Sequence, residues 1–187
     1  GKDYFTWTSA QYNLLTDPAR LFYMTGRIKG PKVPGYHRYL DTTASMDIRL
    51  FGLFSVVRHD NLFKAETVTF LNDMCFLAPA MLIDERIRWK YLNDYKVKAT
   101  FTNKHVSISA VLYFNELGQL INFMSNDRTD VSDWTENPWS TPIQEYREIN
   151  GYTLAHRAEM IWHYPEEDFC YGKLVVREIR YNGINVR

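Results

Sequence analysis

The chain has 187 residues, 45 % of them hydrophobic and 16 % aromatic, enough for one well-filled core that hides roughly 70 % of the extended-chain surface. Lysine plus arginine and aspartate plus glutamate both number 22, so the formal charge is zero. That balance argues against a nucleic-acid partner, which shows as a basic excess, and it leaves little repulsion against homodimer formation. The longest apolar run, Cys75 to Ile83, contains a proline and has about half the length of a membrane span.

The chain opens on Gly1-Lys2-Asp3 without a methionine and passes almost directly into a strand, which reads as a fragment lacking an N-terminal segment. Tyr4 to Leu14 is rich in β-formers and reads as a first strand, turned by Asp17-Pro18. Arg20 to Lys29 is a second, closed by Gly30-Pro31 and Pro34-Gly35. Tyr36 to Leu50 reads as a single third strand with Leu40, Thr42, Ala44, Met46, Ile48 and Leu50 on one face. Leu53 to Arg58 is a short fourth.

Next comes the stretch the chain is organised around, Glu66 to Trp89. Phe63, Val68, Leu71, Met74, Cys75 and Ala78 recur at three- and four-residue steps, which predicts a helix with one apolar side and Lys64, Glu66 and Asp73 on the other. Asn61 is placed to cap its start, and Pro79 should end it. If Asn72 or Asp73 faces the sheet instead, it needs a buried polar partner.

After the helix the pattern is strand upon strand. Arg86–Leu92, Tyr95–Thr102, His105–Phe114 and Gln119–Ser125 alternate with turns at Asn93-Asp94, Asn103-Lys104 and Asn115–Gly118. His105–Phe114 is the clearest, with Val106, Ile108, Ala110, Leu112 and Phe114 on one face. A polar, acidic loop from Asn126 to Pro138 interrupts the rhythm. Ser140–Ile149 and Tyr152–His163 flank Asn150-Gly151, a strong hairpin signal, and Phe169–Tyr181 closes the sheet. The expected fold is mainly β (α+β): a curved antiparallel meander or half-barrel of about ten strands with one principal helix packed on it. Residues 1–187 read as a single domain.

Several stretches carry a resemblance: LFGLFSVVR (Leu50–Arg58), AETVTFLNDMCFLAPAMLID (Ala65–Asp84), LYFNELGQLINFMSNDR (Leu112–Arg128) and the long run from Trp139 to Gly172. Together they resemble an uncharacterised prokaryotic domain-of-unknown-function family, which implies no activity and no catalytic residue. The strand order with a helix across it also looks like the lipoprotein-localisation-factor type of incomplete β-barrel, which holds acyl chains in an apolar hollow.

Known chemistry is sparse. The histidines His37, His59, His105, His156 and His163 have no metal-ligand spacing, and no serine sits in a GxSxG elbow. GRIKG at Gly26–Gly30 lacks the spacing and the following helix of a phosphate cradle. Cys75 and Cys170 occupy no CxxC and read as buried free thiols, and no cofactor is implied. The leading expectation is a non-catalytic domain that binds a hydrophobic or amphipathic small molecule, such as a lipid, between sheet and helix beside Leu71 and Met74, with Trp89, Trp134 and Trp139 as further apolar contacts. The alternatives are an enzyme with a polar site at Asp127, Arg128 and the Trp134 loop, and a structural domain that pairs through its edge strands.

Overall fold

The computed structural model describes residues 6–27, 30–50, 54–55 and 62–182. The order of elements is β1 Trp7–Leu14, β2 Ala19–Arg27, β3 Lys32–Leu40, β4 Thr43–Leu50, β5 Phe54–Ser55, α1 Leu62–Leu77, β6 Ile87–Asn93, β7 Lys96–Asn103, β8 Val106–Phe114, β9 Leu120–Ser125, β10 Trp139–Ile149, β11 Tyr152–His163 and β12 Asp168–Val175. Every strand pairs with its chain neighbour, giving one meander from β1 to β5 and a second from β6 to β12. All pairings are antiparallel, and among the described residues neither sheet closes into a barrel. The fold is mainly β with one principal helix packed on the strands, as the sequence pattern requires.

Tyr36–Leu50 is a hairpin rather than one strand. The chain turns at Asp41-Thr42, with Asp41 in the left-handed region at φ 55° and Leu40 opposite Thr43. A short polar side chain tolerates that conformation. Because the turn exchanges the parity of the two arms, Tyr39 shares a face with Ala44, and Tyr39 rather than Leu40 enters the core. Pro34-Gly35 also lies inside β3. Gly35 is needed there: a Cβ would stand 2.9 Å from Cγ of Met24 across the ladder.

Helix α1 ends at Leu77, one residue short of Pro79, after which a 3-10 turn runs from Pro79 to Leu82. Its proposed cap, Asn61, and most of Leu53–Arg58 lie outside the described residues. Tyr181, expected in a last strand, follows the end of β12 instead. Its hydroxyl donates to the carbonyl of Leu77, one of the acceptors that a helix C-terminus leaves free.

The helix lies between the two meanders, packing on β4 of the first and on β8, β9 and β11 of the second. Thirteen of its sixteen residues are buried, so it has no solvent face. Glu66 and Asp73, expected outward, are inside, and of that trio only Lys64 reaches the surface, 2.7 Å from Glu136. The core around it is aromatic: Tyr39 packs on Phe63 and Phe70, Phe70 stacks on Phe101, and Phe123 meets Trp139 edge-on. The Tyr39 hydroxyl bonds Thr67 of the helix at 3.1 Å and accepts from Asn103 of β7 at 2.5 Å, joining both sheets to α1. Both cysteines are free thiols; Cys75 is buried and Cys170 is half-buried.

Candidate ligand-binding site

The helix from Glu66 to Asp73 is held by charge. Arg20 on β2 donates from Nε to Asp73 at 2.8 Å, from Nη1 to Glu66 at 3.0 Å and from Nη2 to Gln11 at 3.3 Å. Gln11 and Asn13 on β1 also donate to Asp73, at 2.7 and 3.3 Å, and Nδ1 of His37 lies 3.4 Å from Glu66. Phe22 closes the cluster, with the Arg20 guanidinium 4.9 Å over its ring. These residues meet because β1, β2 and β3 present alternate side chains to the helix, and Glu66 and Asp73 lie two turns apart on it.

Burial opposes ionisation of Glu66. The field of Arg20, the His37 hydrogen bond and the field of Arg128 outweigh it and hold the carboxyl at about 2. Burial pushes Asp73 the other way, above the ordinary aspartate range, although Arg20 pulls it down. A carboxylate pair gripped by one arginine and two amides is a clamp between helix and sheet, with its donors already spent.

The last turn is different. Beyond Met74, residues Cys75 and Phe76, Pro79 and Leu82 of the following turn, and Leu112, Leu120, Tyr146 and Ala155 of the second sheet wall a hollow of about 280 Å³ that opens to solvent on one side. Its walls are chiefly hydrocarbon, and the Tyr146 hydroxyl is taken up by the Leu120 carbonyl at 2.9 Å. Burial pushes the Cys75 thiol well above its ordinary value, so it stays protonated and is no nucleophile.

Leu71 and Met74 are fully buried in the core and do not line this hollow. Trp89 sits on the edge strand β6, 45 % exposed. Asp127 accepts from the backbone N–H and the hydroxyl of Ser109, at 2.6 and 3.1 Å. Arg128 and Trp139 are brought together: the guanidinium lies 4.2 Å over the Trp139 ring and 5.5 Å from that of Trp162, with its buried Nε unbonded. Trp134 takes a left-handed conformation, φ 63°, in a loop closed on Asp130. The seven residues therefore divide among the core, the sheet edge and the loop.

One arrangement has no sequence motif. Ser140 Oγ lies 2.7 Å from Nε2 of His163, and Nδ1 of His163 lies 2.7 Å from Asp168. Serine, imidazole and carboxylate are connected through the ring nitrogens in the order of a hydrolase relay. The signal was available: outward from Asn150-Gly151 the hairpin sets Ser140 opposite Ile161, two residues from His163. Ser140 is only 2 % exposed, however, on a fully paired strand.

Among the described residues no group of three His, Cys, Asp or Glu side chains is arranged to hold a metal ion, and no helix is long and apolar enough to cross a membrane. A family model matches residues 1–174, nearly the whole chain. The chain belongs to DUF6544, a family of unknown function. No curated protein and no solved structure matches it, so the likeness of this DUF6544 member to the lipoprotein-localisation-factor barrel has no support beyond the strand order.

Proposed function

We propose that this DUF6544 domain binds a small apolar or amphipathic molecule, lipid-like in chemistry, in the hollow beyond Met74. The observation that carries this reading is unfilled, hydrocarbon-walled space of about 280 Å³ beside a helix whose other contacts are closely packed. Apolar walls that open to water favour an apolar guest, which removes their hydrocarbon surface from solvent. The volume lies just under the ~300–1,000 Å³ of small-molecule pockets, which suits one short acyl chain or a compact ring rather than a diacyl lipid.

Native mass spectrometry of protein purified without detergent tests this. The expected result is an adduct of an apolar species that is lost when Ala155→Phe fills the hollow. A clean unliganded mass, together with no uptake of short fatty acids, overturns it.

A second reading, an enzyme at the Asp127–Arg128 loop, draws on the Ser140–His163–Asp168 relay beside Trp139 and Trp162. The burial of Ser140 ranks it lower. A fluorophosphonate probe that labels the wild type and spares Ser140→Ala would raise it, and absence of labelling removes it.

A further inference from the structure

The outer face of the second sheet carries a segregated positive charge, although the whole chain is balanced. Ile87, Ala99, Phe101 and Leu112 point into the core, so the alternate residues Arg88 and Lys90 of β6 and Lys96 and Lys98 of β7 point outward together. The outward neighbours on β8 and β9, Val111, Tyr113, Asn122 and Met124, carry no charge. Among the described residues, none of the four cations is in an ion pair; Lys96 Nζ lies 4.9 Å over the Tyr113 ring. Acids border this patch at its ends: Asp94, which accepts from the Tyr91 hydroxyl at 2.6 Å, Glu116, which shares a depression with Lys96, Glu85 before β6, and Asp127, held by Ser109 of β8.

Lys90 stands directly opposite Lys98 across the ladder. Like charges in that position repel and weaken the strand pair, a cost that an anionic partner reverses. At the hairpin from β6 to β7 and beside it, Leu92, Tyr95 and Ile121 are between 41 % and 48 % exposed, while Trp89 and Tyr91, opposite Ala99 and Val97, lie on the other side of the edge strand. Tyr95, Tyr113 and Ile121 wall a surface depression of about 350 Å³ on the side of Lys96.

We propose that this corner, the outer face of β6–β7 with its aromatic rim, docks on an anionic membrane surface. Lysines above and the amphipathic rings of Tyr95 and Tyr113 at the border are what a charged headgroup layer over hydrocarbon requires. Exposed Leu92 and Ile121 have a place in such a layer and none on a phosphodiester backbone, which decides against nucleic acid. The inference does not rest on the hollow, although the Phe114 side chain borders both the depression and the hollow.

Co-sedimentation with vesicles of phosphatidylcholine, with and without phosphatidylglycerol, tests it on the whole chain. The expected result is binding to the anionic vesicles alone, weakened by salt. Taking about 5-fold per cation, Lys90→Ala/Lys98→Ala lowers the partition coefficient about 25-fold. Its thermal midpoint should be unchanged or higher, which separates lost docking from lost folding. Equal binding to neutral vesicles, no binding at all, or a double variant that binds like the wild type overturns the proposal. Tighter, equally salt-sensitive binding to a short DNA duplex replaces it with a nucleic-acid surface. Because the double variant leaves the hollow intact, a retained apolar adduct in the same samples reports on the ligand reading separately.

Discussion

Two stretches of α1, Glu66 to Asp73 and the last turn, are both buried and chemically opposite. In the first, Glu66 and Asp73 are gripped by Arg20, Gln11, Asn13 and His37, and each carboxylate has a partner of opposite or complementary character. Toward its end, Cys75 and Phe76 face hydrocarbon that leaves space unfilled. Burial alone would rank both as core. What separates them is completeness: the charged stretch has used its donors on itself, while the apolar turn has contacts still to make.

The largest expected effect tests the charged stretch. Arg20→Met strands two buried carboxylates, and urea unfolding should show a loss of about 3–5 kcal/mol. A loss below about 1 kcal/mol would mean that the clamp is dispensable and that these groups are free for other chemistry.

Next in size is the acid limb of stability. The Glu66 carboxyl is held at about 2, below its ordinary value of 4.5, so it contributes stability above pH 4.5 that is lost as pH falls through 2. That contribution is up to about 3 kcal/mol on linkage grounds. Asp73, raised by burial, acts oppositely: its ionisation opposes folding, and protonating it as pH falls recovers stability. Subtracting the pH profile of Glu66→Gln from that of the wild type isolates the Glu66 share. Identical profiles would show that the Arg20 field does not dominate there.

Adding volume contrasts packed with unpacked space. Ala110→Leu, against the sealed part of the core, should cost about 1–3 kcal/mol, whereas Ala155→Leu, at the hollow, should cost less than about 1 kcal/mol. Equal penalties in thermal unfolding would mean that the hollow is not available volume. The smallest effect belongs to the relay: Ser140→Ala removes one hydrogen bond to His163 and should cost about 1 kcal/mol.

How much was legible depended on the kind of signal. Strand parity on β8 and the hairpin at Asn150-Gly151 were readable because each is set within about ten residues of chain. The helix was placed to within a residue or two at its end by Pro79 and its apolar spacing, yet its polar face was misread. A Glu or Asp on a helix is ordinarily solvated, and only the arrival of β2, more than forty residues earlier in the chain, supplies Arg20 to receive it. The Asp41-Thr42 turn was missed for a related reason: hydrophobic alternation ran on through a turn lacking glycine and proline.

By itself, the sequence determined the class of fold, the antiparallel succession of strands and the single helix, since period, propensity and turn chemistry are local properties. Tertiary structure alone decided that the helix has no outward face and that the unfilled space lies beyond Met74 rather than beside it. Each of these depends on which distant strand arrives at a given face, and on how completely its side chains fill the remaining volume. Neither quantity is carried by any short window of residues.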